Sequence, residues 1–147
     1  MSKQIKIFII DDDYFETYPP DSSSPIRNYQ KRLEEAGFAV SGAQNWDQAL
    51  KHFSKKRGKP PFDLVILDIS MPLGESLKGV DPMGGIHAGL YVSKILSQRK
   101  QPHIILSNMV MGPIEKDFES SYLLDKYLKP NILPTELASV IKKLFRL

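Results

Sequence analysis

The sequence predicts an α/β domain in which five parallel strands form one sheet with helices on both of its faces. Two observations support this prediction. Apolar strand candidates alternate with helical segments five times, without internal repeats, and such alternation is typical of a parallel sheet with crossover helices. The third strand candidate, residues 64–69, is apolar at every position except Asp68, as expected for a strand that is buried on both faces.

The predicted elements follow one another in a regular order along the chain. Strands are expected at residues 5–10, 38–43, 64–69, 103–106 and 126–128. Helices are expected at 25–37, 45–56, 86–99, 113–124 and from 134 onwards, because apolar residues recur there at helical spacing, with proline or asparagine at most of the starts. For five such strands the expected order is 2-1-3-4-5, that of the doubly wound flavodoxin-like fold.

Length and composition limit the class of protein. The 147 residues fit one domain, and a hydrophobic content of 41% with 25% charged residues is ordinary for a globular chain. Cysteine is missing, and His52, His87 and His103 are too far apart in the sequence for a zinc motif. No apolar run approaches the roughly 18–20 residues that cross a bilayer, and no signal-peptide cleavage site is recognisable. We therefore expect a cytoplasmic protein that does not act at a membrane.

The charge pattern does not indicate nucleic-acid binding. The net charge is only +3, and a mildly basic balance is no footprint of a nucleic-acid partner by itself. The basic run at residues 55–59 is interpreted as a solvated helix end, where cations also favour the helix dipole. Contact between this run and an anionic partner is the less favoured alternative.

Polar and ionisable residues follow the apolar strands at their carboxyl ends. Asp11 and Asp12 come directly after the first strand, and Asp68 stands near the end of the third. Ser107 follows the fourth strand and Lys129 the fifth. Taken alone, Asp68 could also be a turn residue or a helix cap, which is the less favoured interpretation. Because the carboxyl ends of parallel strands meet at one edge, with strands one and three flanking the switch point, we expect these side chains to form one site.

This set of side chains is typical of phosphoryl transfer. Three carboxylates close together favour a cation, and Mg²⁺ prefers oxygen ligands and is usually held by one or two carboxylates and a phosphate. Lys129 supplies a positive charge for a phosphoryl oxygen, and Ser107 supplies a hydroxyl donor. The sequence therefore predicts a Mg²⁺-dependent phosphoryl-transfer site.

Four segments resemble the receiver domain of two-component response regulators: IFIIDDD, LVILDISMP, IILSN and KYLKP. They occur in the order found in that family and cover nearly the whole chain, so that residues 1–147 are expected to be a single receiver domain. The resemblance implies a phosphorylation-dependent signalling switch rather than an enzyme. In such a switch Asp68 accepts a phosphoryl group from a histidine kinase or a histidine phosphotransfer protein, and Ser107 and Lys129 bind that group.

The resemblance also implies a metal site and contact surfaces. Asp11, Asp12, Asp68 and the backbone carbonyl of Ser70 would hold Mg²⁺, whereas Asp13 is taken as a neighbour of the site rather than a ligand. The face made by the fourth and fifth predicted helices, 113–124 and 134 onwards, would contact a downstream protein target or a second copy of the chain. No output domain is expected after the fifth helix.

Three features depart from the pattern of the family. Insertions at residues 18–25 and 73–84 lengthen two loops that border the expected site. Lys126 stands three positions before Lys129, where many receivers have an aromatic switch residue. The nearest aromatic, Tyr127, is one position off and would point to the opposite face of its strand. A conventional aromatic switch is therefore not expected here.

Two other functions were considered for the same residues. IIDDDYF, IILSN and a later lysine also resemble a haloacid-dehalogenase-type phosphatase, with Asp11 as the nucleophile and Asp13 as the acid/base. That family needs further acids after its lysine, and only Glu136 follows here, inside the last predicted helix. A flavodoxin-like binding module with a degenerate site is the third possibility, disfavoured by the intact set of acids, hydroxyl and lysine.

Overall fold

Five parallel strands form a sheet in the computed structural model, which describes residues 4–14, 25–53, 60–69, 88–108 and 120–146. The strands are β1 (Lys6–Ile10), β2 (Ala39–Ala43), β3 (Leu64–Leu67), β4 (His103–Ser107) and β5 (Leu123–Leu128). Their order is β2-β1-β3-β4-β5, and all neighbouring strands run parallel. The predicted fold class and strand order are confirmed.

Helices connect these strands and cover the sheet. They are α1 (Pro25–Glu35), α2 (Trp46–Leu50), α3 (Ala88–Gln98) and α4 (Pro134–Leu144), and a short 3₁₀ turn, Lys129–Asn131, follows β5. In the part of the chain that the structure describes, no helix combines the length and the apolar character that crossing a bilayer requires.

Alternation of side chains along the strands divides the core into two layers. Ile7 and Ile9 of β1 pack on one face of the sheet with apolar residues of α1 and α4. Phe8 and Ile10 pack on the other face with apolar residues of α2 and α3. Successive strand residues point to opposite faces, so a run such as KIFII buries both sides of the strand.

The first helix ends as the sequence predicts, at a glycine. Gly37 has φ +99°, a conformation that costs glycine little because it has no Cβ. The Phe38 N–H donates to the Leu33 carbonyl at 3.1 Å, and the Gly37 N–H donates to the Glu34 carbonyl at 3.0 Å. These two bonds make a Schellman cap. The cap turns the chain back into the sheet, where Phe38 is buried beside β2.

Two predicted element boundaries are wrong. Asn45 caps α2, accepting the Gln48 N–H at 2.8 Å as expected, but the helix ends at Leu50 and a turn follows through Phe53. Leu123 and Leu124 were expected to end a helix, yet they lie in β5, where Leu123 pairs with His103 of β4. Apolar residues at this point suit either element, and pairing with the exposed edge of β4 decides for the strand.

Several predicted features lie outside the described residues. They are the basic run at 55–59, the insertion at 73–84, most of the insertion at 18–25, and residues 113–119 of the predicted fourth helix.

A buried histidine stands at the start of β4, at the end of the sheet opposite to the predicted site. His103 is fully buried, and its Nδ1 lies 2.8 Å from the Gln101 carbonyl. A carbonyl only accepts, so Nδ1 carries the proton and Nε2 accepts the Ser93 hydroxyl at 2.7 Å. Burial lowers the pKa of His103, and the hydrogen bond to the Gln101 backbone offsets part of this effect.

Replacing His103 with glutamine should reduce the loss of stability in mild acid. The unfolded chain takes up a proton on His103 near pH 6.5 while the folded chain resists it, so the contribution of His103 to stability is full above that pH and is lost as the pH drops below it. Between pH 7.5 and 5.5 the free energy of unfolding should fall by up to about 1 kcal/mol more in the wild type than in the variant, measured by urea unfolding. Ser93→Ala keeps the buried imidazole and should keep the wild-type fall. Equal falls in wild type and His103→Gln would contradict this account.

Candidate functional site

The carboxyl ends of four strands bring four polar side chains together at one edge of the sheet. Asp11 follows β1, Asp68 follows β3, Ser107 is the last residue of β4 and Lys129 follows β5. All four are buried, none with more than 7% of its surface exposed. Burying ionised groups is costly unless they are paired and hydrogen-bonded, so the contacts among these side chains decide whether the site is tolerated.

Lys129 lies between the two buried carboxylates. Its Nζ is 2.8 Å from Asp11 Oδ2 and 3.4 Å from Asp68 Oδ2. The Ser107 hydroxyl donates to the other oxygen of Asp68 at 2.6 Å, and the Asp13 N–H donates to the other oxygen of Asp11 at 2.9 Å. Each carboxylate oxygen in the buried pair therefore has a donor.

Asp12 adds a third carboxylate at the surface of this cluster. Asp11, Asp12 and Asp68 each offer an oxygen within 4.8 Å of the others, and Asp12 is the exposed member. Lys129 can balance only one of these three acids when all of them are ionised. Burial first, and then repulsion from Asp68, raise the pKa of Asp11 to about 7, although Lys129 and the Asp13 N–H act in the other direction.

The pKa of Lys129 depends on its burial and on its two acidic partners. Burial by itself lowers the pKa of the lysine, but attraction and hydrogen bonding to Asp11, followed by those to Asp68, outweigh it and raise the pKa. Lys129 is therefore charged at neutral pH, and this charge does not balance the three acids. The excess charge, the oxygen-only ligands and the exposed position of Asp12 fit a hard divalent cation such as Mg²⁺. Ser70, the fourth predicted ligand, lies outside the described residues.

Comparisons with known proteins find similarity in structure and not in sequence. The sequence matches no protein-family profile and no curated protein. The structure is similar to a two-component response regulator from Clostridium difficile, with a TM-score of 0.68, 23% identity and 97% of both chains covered. It is also similar to a response regulator from Thermotoga maritima, with a TM-score of 0.66, 18% identity, and 99% of this chain and 100% of the other covered. The chain has the receiver-domain fold.

A third neighbour agrees with the first two. The receiver domain of the Francisella response regulator 1452 has a TM-score of 0.63 and 21% identity, and 97% of this chain and 98% of the other are covered. At such low identities the likeness concerns the fold, so the role of each site residue depends on the geometry of this chain.

Gly89 is a site residue of this receiver fold that sequence reasoning missed. It is the second residue of α3, and its N–H donates to the Ile69 carbonyl at 2.9 Å. A Cβ at this position would lie 2.2 Å from the Ile69 Cα and 2.4 Å from the Asp68 carbonyl oxygen. The helix therefore packs directly on the backbone that carries Asp68. A glycine inside a helix, where it is unfavourable, was the available signal.

Position 126, where the resemblance to receivers implies an aromatic residue, is polar and exposed in this chain. Lys126 is exposed, whereas Tyr127 is half-buried and packs towards the layer of α1 and α4. The Tyr127 hydroxyl donates to Asp125 Oδ2 at 2.9 Å, away from the acids of the candidate site. The predicted change of face between these two neighbours agrees with their burial.

Adding a methyl group at Gly89 should destabilise the protein and disturb Asp68. The contacts under 3 Å in Gly89→Ala involve backbone atoms, so relief requires the helix or the strand end to move. We expect a loss of about 1–3 kcal/mol or more in the free energy of unfolding, measured with urea, together with altered amide NMR shifts at Asp68.

Gly37→Ala is the matched control for this prediction. The added Cβ meets nothing within 4 Å, but φ is +99°, so about 1–2 kcal/mol should be lost through backbone strain alone. The amide shift of Asp68 should not change. If Gly89→Ala were as stable as the wild type, the close packing of α3 on this backbone would be wrong.

Removing the carboxyl group of Asp11 should weaken the dependence of stability on pH. The folded chain holds a proton on Asp11 up to about pH 7, while the unfolded chain releases it near pH 3.8. The contribution of Asp11 to stability is therefore fully present below pH 3.8 and is lost as the pH rises from there to about 7. In EDTA, urea unfolding of Asp11→Asn should show a smaller fall in stability between pH 5 and 8, by at least about 1 kcal/mol. A fall of the wild-type size in the variant would contradict the raised pKa.

Proposed function

We propose that this chain is a receiver domain of two-component signalling, with residues 1–147 as one domain. In this role Asp68 accepts a phosphoryl group from a histidine kinase or a histidine phosphotransfer protein, with Mg²⁺. The observation that carries the proposal is the placement of Asp68 between the Ser107 hydroxyl at 2.6 Å and the Lys129 ammonium at 3.4 Å, beside Asp11. The receiver-domain fold of the chain supports it.

The chemistry proposed for Asp68 is a single displacement at phosphorus. A carboxylate oxygen of Asp68 forms the new O–P bond, and the P–N bond of the phosphohistidine donor breaks as its imidazole leaves. Lys129 is within reach of a phosphoryl group on Asp68 and can turn from the carboxylates to one of its oxygens. The Ser107 hydroxyl donates to Asp68 Oδ1 in this structure, and after phosphorylation it can donate to a phosphoryl oxygen instead.

Asp11, Asp12 and Asp68 would hold Mg²⁺ in this site, with the Ser70 carbonyl as a further ligand. The ion would supply positive charge to the phosphoryl oxygens, which carry a charge of roughly −1.5 to −2 at neutral pH. The all-oxygen cluster within 4.8 Å supports this assignment. The raised pKa of Asp11 supports it as well, because a carboxyl group made less acidic by burial and by the charge of Asp68 gains from a cation.

The signal is proposed to pass from the phosphoryl group through Ser107 to the loop that follows β4. We expect that loop, at residues 108–112, to carry the switch together with the start of the next predicted helix. All of the loop but Asn108 lies outside the described residues. An exposed lysine at position 126 supports a switch that does not use an aromatic side chain there. The downstream partner would be a protein target or a second copy of the chain, in the cytoplasm.

Phosphorylation with a small acyl phosphate and Mg²⁺ tests the proposal. Intact mass should show one added phosphoryl group in the wild type, none in Asp68→Asn, and none in the wild type when EDTA replaces Mg²⁺. Ser107→Ala keeps the acceptor and should still be labelled, but more slowly, by up to about tenfold for one lost hydrogen bond.

The same experiment separates the receiver from the alternative phosphatase, in which Asp11 is the nucleophile. For the receiver, Asp11→Asn should keep the acceptor and be labelled slowly at high Mg²⁺. For the phosphatase, labelling should persist in Asp68→Asn and vanish in Asp11→Asn. The second pattern, or an unlabelled wild type, would overturn the proposal.

A further inference from the structure

A buried tyrosine of α1 holds the main chain of Lys129. Tyr29 is 4% exposed, and its ring lies in the apolar layer between α1, α4 and the sheet. Its hydroxyl oxygen is 2.9 Å from the Lys129 carbonyl oxygen and 2.5 Å from the Ile132 carbonyl oxygen. The contact joins residues 100 positions apart in the sequence, so it ties α1 to the turn after β5.

The turn that Tyr29 contacts is weakly held by its own hydrogen bonding. Its internal bond, from the Ile132 N–H to the Lys129 carbonyl, is long at 3.4 Å. Pro130, the next residue after Lys129, has no N–H to contribute. The phenol has one proton for two carbonyl acceptors, and the Ile132 carbonyl at 2.5 Å is nearer than the Lys129 carbonyl at 2.9 Å, so the shared contact holds both ends of the turn.

Lys129 is thus held at both ends. Its ammonium lies between Asp11 and Asp68, at 2.8 and 3.4 Å. Its carbonyl accepts the Tyr29 hydroxyl. The reach of the ammonium is measured from the Lys129 main chain, so a movement of that main chain shifts the positions that the ammonium can occupy.

We propose that Tyr29 is a positioning residue for Lys129, whose phenol fixes the Lys129 main chain so that the ammonium meets the oxygens around Asp68. This inference rests on the proposed function for its effect on phosphoryl transfer. The tether itself is a property of the structure and can be tested separately. Tyr29 touches neither the acids nor the expected phosphoryl group, so its effect would act through Lys129 alone.

A phenol is not needed at this place for packing alone. The ring is surrounded by apolar side chains, where phenylalanine would fill the same volume without a polar atom to satisfy. The hydroxyl keeps its proton because burial, the largest effect, raises the pKa of Tyr29. With one proton and two carbonyl acceptors, the hydroxyl is a donor to the turn, whereas the ring packs in the apolar layer.

Tyr29→Phe, which removes only the hydroxyl, is the test, with Tyr127→Phe as the matched control. Both rings pack in the same layer, but the Tyr127 hydroxyl is bonded to Asp125 at the exposed edge. At a temperature where both variants are folded, three quantities are compared with the wild type. They are the phosphorylation rate constant with an acyl phosphate at saturating Mg²⁺, the Kd for Mg²⁺, and the order parameter of the Lys129 Cε methylene by NMR.

Tyr29→Phe should lower the rate constant by roughly two- to tenfold, the range expected for one lost hydrogen bond. It should lower the order parameter of Lys129 and should not raise the Kd for Mg²⁺, because the three carboxylates remain and lose only part of the positive charge beside them. Tyr127→Phe should leave all three quantities unchanged. A merely structural role for the phenol would lower the melting temperature without changing the rate constant or the order parameter, and that result would overturn the inference.

Other outcomes are equally decisive. A matching rise in the Kd for Mg²⁺ would mean a general distortion of the site and would also overturn the inference. If the wild type is not phosphorylated, the proposed function fails, while the order parameter still decides on the tether. If Tyr29→Phe does not fold, the hydrogen bond from the Tyr29 hydroxyl is measured in the wild type instead. Replacing the phenol proton with deuterium should shift the carbonyl ¹³C resonance of Lys129, and the absence of a shift would refute the tether.

Discussion

The buried ammonium of Lys129 is the constraint on which the rest of the site depends. A charge that is 7% exposed is tolerated only because Asp11 and Asp68 lie within 3.4 Å of it. Removing one partner of a buried pair usually costs about 3–5 kcal/mol, because the other charge is left uncompensated. The two acids in turn repel each other, and the lysine alone does not neutralise them together with Asp12. The site is thus stable as a folded arrangement, and Lys129 balances only one of the three acids when all of them are ionised.

The parallel sheet makes this arrangement possible. Ile10 of β1 is level with Leu67 of β3, and Ser107 of β4 is level with Leu128 of β5. The residues at or just beyond these strand ends therefore meet at one edge, although they come from distant parts of the sequence. Both faces of the sheet are covered by apolar layers, so polar groups on these strands collect at the ends rather than on the faces.

Two backbone contacts hold the site from opposite sides of the sheet. On the side of α3, Gly89 lets the helix approach the backbone of Asp68 and Ile69 more closely than any side chain would allow. On the side of α1, Tyr29 reaches the carbonyl of Lys129. Its second contact, with the Ile132 carbonyl, lies two residues before α4 begins. A movement of Lys129 towards a new anion would therefore change the contacts that the turn makes with α1 and with the start of α4. The proposed switch could act through these contacts instead of through an aromatic rotamer.

The sequence by itself determined the strand order, the composition of the sheet core and the identity of the residues at the strand ends. These features depend on local patterns: a branched apolar run buries both faces of a strand, and a polar residue at its end can only lie at the edge of the sheet. The helix predicted through Leu123 and Leu124 was wrong, because apolar residues suit both elements and only pairing with β4 selects the strand. The roles of Gly89 and Tyr29 were equally out of reach, since each is defined by a backbone atom distant in sequence. Tertiary structure decides such contacts because they depend on the separation of packed elements, which no periodicity of one segment encodes.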